Sequence, residues 1–252
     1  MPIRAVIFDI GGVLLLETPE DLAMKWTRRL GLKDGEFMQL LVASGVIGPA
    51  NVGAITEEEL WGRLGMIYHL DDDQLREFRD DNWAMQEPNM KLIHFLESLR
   101  PRYKLATLSN DWPGAREQQN RMFQLEEMLG IEVMLYSCEE GMQKPDTDFY
   151  LLACERLGVH PEEVVFIDDR EQCVKGAQRV GMKAILFKDT DQTIAEVQAC
   201  LEASESSETC RIPLKDVLTS RDMQLCPSVD ITKSGTDPHL RAKSARFVGH
   251  FL

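Results

Sequence analysis

No stretch of this 252-residue chain is apolar for long enough to cross a bilayer. Its six cysteines, Cys138, Cys154, Cys173, Cys200, Cys210 and Cys226, include no C-x-x-C pair. That argues against a zinc site or a disulfide frame and leads us to expect reduced thiols in the cytoplasm. Basic residues are scarce: 28 Lys and Arg stand against 42 Asp and Glu, a net charge of −14. Such a balance argues against general binding to nucleic acid or to an anionic membrane. A secretory leader is not expected either, because Asp9 arrives before a charged region and an apolar run could fit. No internal repeat is visible. What remains is an ordinary globular composition, 44% apolar, long enough for one α/β core with an insertion or for two small domains.

The first feature present is an apolar run, Ala5 to Phe8, ending abruptly in Asp9 and followed within two residues by Gly11 and Gly12. A continuous run of this kind predicts a strand buried on both faces, as in a parallel sheet covered by helices. Ligands of open α/β sheets bind beyond the carboxyl ends of the strands, where Asp9 falls. The two glycines allow a sharp turn and a close approach of the backbone to a ligand.

Three later stretches repeat the theme: Leu105–Asn110, Gln143–Asp146 and Val164–Asp169. With Phe8-Asp9 they resemble, in order and spacing, the four motifs of the haloacid dehalogenase superfamily, and the resemblance covers roughly residues 1–200. The Phe-Asp-Ile-Gly-Gly-Val-Leu segment is most similar to a helical-capped phosphatase branch. It implies a doubly wound parallel α/β core with an inserted α-helical cap. It also implies Asp9 as nucleophile, Ser109 and the Asn110 backbone as phosphate-binding groups, and Lys144 as the charge facing both Asp9 and the phosphoryl group. Asp9, the Gly11 carbonyl, Asp168 and Asp169 would hold Mg²⁺, with Asp169 a direct ligand and Asp168 a ligand or its neighbour.

The chain pattern agrees with that plan. Residues 19–86 show helical patterns and no convincing strand, Glu87-Pro88-Asn89 reads as a return hinge, and residues 19–87 are expected to form the cap. Residues 1–18 and 88–202 alternate helix and strand, as a core should. Candidate helices begin near Pro19, Glu36, Asp71 and Met90, and a capping box at Thr56–Glu59 opens another. Gly45 to Gly53 reads as a loop, one helix runs from about Pro113 to Met128, and the last is expected over Thr190–Leu201. Residues 203–252 have the composition of a poorly ordered tail.

Two departures from the superfamily pattern stand out. Its phosphatases usually carry a second Asp two residues after the nucleophile, as general acid and base; here that residue is Gly11. Cys173 stands where Asn often orders the acid loop. The leading expectation is a Mg²⁺-dependent phosphatase of a small phosphorylated metabolite, working through an aspartyl-phosphate. Without the second Asp, its efficiency would fall steeply with leaving-group pKa unless another group supplies the proton. A 2-haloacid dehalogenase and a catalytically weak binding or regulatory protein are the alternatives. In the cap, Arg28, Arg29 and His69 are the polar candidates for substrate contact. Neither substrate identity nor oligomeric state is legible.

Overall fold

The structure, a computed structural model, describes residues 1–18, 22–100, 102–131 and 133–209. The chain opens with β1 (Ala5–Phe8) and β2 (Leu15–Glu17). It then passes through five helices, α1 (Leu22–Arg29), α2 (Glu36–Ala43), α3 (Ile47–Asn51), α4 (Glu57–Ile67) and α5 (Asp72–Ala84). From β3 (Gln86–Pro88) it continues through α6 (Met90–Leu99), β4 (Lys104–Ser109), α7 (Ala115–Phe123), α8 (Leu125–Leu129), β5 (Val133–Tyr136) and α9 (Ser137–Glu140). The last elements are α10 (Thr147–Leu157), a 3₁₀ turn at Pro161–Glu163, β6 (Val164–Asp168), α11 (Glu171–Arg179), β7 (Lys183–Leu186) and α12 (Thr190–Thr209).

Five strands form one parallel sheet in the order β5-β4-β1-β6-β7. All four residues of β1 are buried, and the two-residue alternation of a strand divides them between two cores. Ala5 and Ile7 pack with Phe149, Phe166 and Ala177; Val6 and Phe8 pack with Leu92, Val165 and Ile167 on the other face. The register aligns Phe8 with Thr107 of β4 and with Ile167 of β6. Asp9 and Asp168, one residue on, and Ser109, two residues on at the end of β4, therefore emerge on one edge. β1 lies where the strand order turns back, the place at which such sheets bind ligands.

The helices between β2 and β3 gather around aromatic rings. Phe78 of α5 stands edge-on to Trp26, Phe37, Trp61 and Tyr68, at centroid distances of 5.0, 6.0, 6.1 and 5.6 Å. The predicted capping box at Thr56–Glu59 is present, and Asp71 makes a second one with Gln74. No strand was expected in this stretch, yet β2 and β3 pair antiparallel, Leu15 with Pro88 and Glu17 with Gln86. Gln-Glu-Pro carries no alternation to announce a strand; the pairing arises because the outgoing and returning chains of the insertion lie side by side.

Other differences are local. The expected loop after Gly45 contains the short α3. The helix expected up to Met128 is broken at Gln124, whose φ of 53° ends α7 before α8 begins. The expectation that the folded chain stops near residue 202 needs correction, because α12 continues to Thr209. Its buried stripe, Val197–Leu201–Ser204, ends in a hydroxyl rather than an apolar group. That is why it escapes a hydrophobic reading. Ser204 Oγ accepts the Ile3 amide at 2.6 Å, and Glu205 accepts the Tyr103 hydroxyl at 2.8 Å. The remainder of the predicted tail, 210–252, and the start of the first predicted helix at Pro19 lie outside the described residues.

Replacing Ser204 by Ala would strand the buried Ile3 amide, at a cost of about 1–3 kcal/mol. Calorimetry should show a Tm lower by several degrees, given about 2–4 °C per kcal/mol for a chain of this size. An unchanged Tm would show that the α12 extension contributes nothing through this bond.

Candidate active site

Asp9 follows β1 directly and is buried. Its amide donates to Ile167 O at 2.9 Å, and its Oδ1 accepts the Ile10 amide at 2.7 Å. Gly12 closes the turn with φ +73°, donating to Leu15 O at 2.8 Å. A Cβ on Gly12 would lie 2.7 Å from Asp169 Oδ2; only a glycine lets that carboxylate approach the turn. At Gly11 the opposite holds, since an added Cβ would meet nothing within 4 Å.

Lys144 comes from the segment before α10. Its side chain is fully buried, and its Nζ donates to Asp9 Oδ2 at 2.8 Å and to Asp168 Oδ2 at 2.6 Å. Asn110 holds the Lys144 main chain from both sides: Nδ2 donates to Lys144 O and Oδ1 accepts Lys144 N, each at 2.7 Å. Asp168 uses its other oxygen to accept the Arg170 amide at 2.9 Å. Ser109, buried at the end of β4, lines a cavity of about 540 Å³ together with Asp9, Gly11, Asn110 and Asp169. The structure thus brings together all seven residues expected from the sequence.

Charge at this edge is unbalanced. Burial raises the Asp9 pKa and Asp168 adds to it, although Lys144 pulls the other way. Burial and the Asp9 charge likewise raise Asp169. Lys144 stays charged: burial opposes this, but Asp9 and Asp168 together lift its pKa above the ordinary lysine value. One oxygen each from Asp9, Asp168 and Asp169 lie within 4.8 Å of one another. Three crowded carboxylates and one shared ammonium leave room, electrostatically, for a hard divalent cation, and an all-oxygen donor set suits Mg²⁺.

Several cavity residues were not anticipated. Asp111, two residues past Ser109, lines the cavity, as do Glu17 of β2, Gln86 of β3 and Arg170. The Gln86 amide oxygen is buried and, among the described residues, has no hydrogen-bond partner. The signal available for Asp111 was its place on the same strand-end loop as Ser109. Gln86 had none, because its strand was itself unseen. Neither Arg28, Arg29 nor His69 lines the cavity: Arg29 pairs with Glu77 over the Trp26 ring, and Arg28 bonds Met24 O. Cys173 is buried in the core face with Tyr150 and Phe166, and Tyr150 donates to its carbonyl at 2.8 Å.

Residues 3–181 match the haloacid dehalogenase-like hydrolase family. A phosphorylated carbohydrates phosphatase of Thermotoga maritima is 33% identical over 72% of this chain and 83% of its own length. Bifunctional epoxide hydrolase 2 of Sus scrofa is 26% identical over 79% of this chain, which spans only 39% of that longer protein. Among solved structures, a HAD family enzyme of Bacteroides thetaiotaomicron, in complex with magnesium and inorganic phosphate, superposes with TM-score 0.62. It is 23% identical, over 74% of this chain and 94% of its own.

Lys144→Met would leave Asp9 and Asp168 buried without their cation, a loss of about 3–5 kcal/mol. The sign of its pH dependence follows from the raised Asp9 carboxyl. Protonation removes the repulsion, so the deficit is largest at alkaline pH and shrinks as pH falls through the raised value. Urea denaturation in EDTA at pH 8 and pH 5 measures the difference. A deficit that does not narrow on acidification would contradict it.

Proposed function

The chain belongs to the haloacid dehalogenase-like hydrolases, and from that premise we propose that it is a Mg²⁺-dependent phosphatase of a small phosphorylated metabolite. The observation that carries this reading is Lys144 held between Asp9 and Asp168, with Asp169 beside them, on one edge of the sheet. Asp9 attacks phosphorus in line with the leaving oxygen and becomes an aspartyl-phosphate, which water then hydrolyses. Lys144 stabilises charge on the transferring group from a buried position, where such a charge is most effective. Ser109 and the Asn110 backbone bind phosphate oxygens, and the Asn110 side chain keeps Lys144 in place. Asp9, Asp169 and the Gly11 carbonyl would hold Mg²⁺, with Asp168 a further ligand or a neighbour. When bound, the ion screens the carboxylates from the phosphate.

The Thermotoga relative, a phosphatase of phosphorylated carbohydrates, supports this substrate class, and the magnesium and phosphate bound to the Bacteroides enzyme support the cofactor. A dehalogenase would have less use for three adjoining carboxylates or for a cavity walled by Asp111, Asn110 and Gln86. We assign the helices of residues 19–87 the role of a cap, and residues 1–18 and 88–209 that of the core. Gln86 and Glu17, brought to the cavity by β2 and β3, would help select the substrate. The four described cysteines are all free thiols, which suits a reducing compartment such as the cytoplasm. No helix among the described residues is long and apolar enough to cross a membrane.

The test is phosphate release from a metabolite panel with and without Mg²⁺, beside chloride release from 2-haloacids. Phosphate release should require Mg²⁺, and chloride should be absent. Asp9→Asn should lower kcat on the order of 10⁴–10⁶-fold, as loss of a covalent nucleophile does. Asp169→Ala should weaken Mg²⁺ binding by at least about 10–100-fold in calorimetry. Near wild-type turnover in the first variant, or unchanged affinity in the second, would overturn the assignment.

A further inference from the structure

The proposed chemistry lacks one component. Departure of an alcohol from phosphorus needs a proton on the leaving oxygen, and Gly11 offers no side chain to give it. Four acidic residues line the cavity: Asp9, Asp169, Glu17 and Asp111. Asp9 is the nucleophile of the proposed reaction and Asp169 a metal ligand, both of which require the ionised form. Glu17 is exposed. Asp111 remains, and the fold holds it in place.

Its Oδ1 accepts the Trp112 amide at 3.0 Å and its Oδ2 accepts Gln119 Nε2 at 2.9 Å. Gln119, buried on α7, accepts the hydroxyl of buried Tyr136 at 2.8 Å. The Asp111 amide donates to Ser137 Oγ at 3.0 Å, and that hydroxyl donates back to the Asp111 carbonyl at 3.1 Å. Backbone and side chain of Asp111 are thereby tied to α7, β5 and α9, in a residue that also faces the ligand cavity. We propose that Asp111 is the general acid and base of this enzyme, in place of the carboxyl that Gly11 lacks; this rests on the phosphatase reading above.

In the first step Asp9 Oδ forms a bond to phosphorus while the bond to the leaving oxygen breaks. The electron pair stays on that oxygen, which takes the proton of the Asp111 carboxyl and departs as the alcohol. In the second step Asp111, now a carboxylate, takes a proton from water as the water oxygen attacks phosphorus. The bond to Asp9 breaks, its pair returns to the Asp9 carboxylate, and phosphate leaves with Asp111 protonated again. Protons and electrons balance with no further reactant.

The electrostatics suit both halves. Burial pushes the Asp111 carboxyl up to about 7, the Asp9 charge pushes in the same direction, and the Trp112 amide, Gln119 and Lys144 pull it back. The other titratable groups facing it, Tyr136 of β5 and Cys138 of α9, are both raised by burial and stay neutral in this range. An acid poised near neutrality can give a proton and recover it.

The experiment uses aryl and alkyl phosphates of graded leaving-group pKa with wild type, Asp111→Asn and Asp111→Ala. In wild type, kcat/KM should vary little with leaving group. Both variants should lose about 10²–10⁴-fold on alkyl phosphates and only a few-fold on aryl phosphates with acidic phenols. The alkaline limb of the wild-type kcat/KM profile near pH 7 should disappear in Asp111→Asn, measured on one substrate so that the phosphate's own titration cancels. Asp111→Asn keeps one acceptor oxygen for the two donors that Asp111 now serves, the Trp112 amide and Gln119 Nε2, so Tm is measured for both variants and kinetics are compared at temperatures where each stays folded. Equal loss on all leaving groups, no loss, or an unmoved alkaline limb would overturn the role of Asp111 alone. A wild type that releases no phosphate from any substrate would overturn the phosphatase reading, and this proposal with it.

Discussion

Much of this structure is organised around one buried ammonium. Lys144 is inaccessible to solvent, which strongly disfavours its charge unless partners compensate. Asp9 and Asp168 do so, and they stand at the ends of two adjacent strands, β1 and β6. The bond pair therefore fixes the separation of those strand ends and pins the segment before α10 to both. Asn110, from the third neighbouring strand end, closes the arrangement by gripping the Lys144 backbone on both sides. Three strands and one loop thus share a single electrostatic knot, and any change in their register would break it.

That knot also sets the site's charge balance. A lysine shared by two carboxylates cannot neutralise a third, and Asp169 is held against the Gly12 turn, where a Cβ would have no room. The remaining negative charge opposes a phosphate dianion unless a cation intervenes. In the proposed scheme the same excess makes metal binding favourable and holds Asp9 ready but restrained, since burial raises its pKa while Lys144 lowers it. The family places this chain among hydrolases; the charge distribution explains why a phosphoryl group and a divalent ion would be bound together.

The parts of this arrangement legible in the sequence were those where apolar runs ended in acids. Ala5–Phe8 before Asp9 and Val164–Ile167 before Asp168 are strands buried on both faces, and a carboxylate placed at such a point needs a reason. Periodicity also located most helices, and the Thr56–Glu59 box because its two hydrogen bonds are local. What the sequence did not reveal depends on distant partners. The β2–β3 pair exists because two passages of chain meet, not because Gln86-Glu87-Pro88 favours a strand. The break at Gln124 is a single left-handed residue. Ser204 continues a buried stripe with a hydroxyl whose partner is Ile3, at the other end of the fold. Asp111 acquires its distinctive surroundings only when Gln119 and Tyr136 arrive from two other elements.

The two adjacent glycines after Asp9 separate what a more usual turn would combine. Gly12 has to be small because Asp169 lies against it, whereas Gly11 is small beside open space. The turn after Asp9 therefore presents backbone alone, and under the proposed mechanism the acid–base group has to come from elsewhere. In the proposed scheme it comes from the β4 end, where Ser109, Asn110 and Asp111 follow one another and serve the phosphate, the lysine and the leaving oxygen in turn. Behind Asp111, the Gln119–Tyr136 relay lies under the Arg116 guanidinium, 4.6 Å from the Tyr136 ring centroid. Arg116 is itself held by Glu126 and Glu139. Asp111 is thus wired to the sheet and its flanking helices. The β2–β3 ribbon supplies Glu17 and Gln86 to the cavity, and no part of the proposed chemistry depends on them. In the proposed scheme, substitutions there would change which leaving group is accepted without disturbing how it leaves.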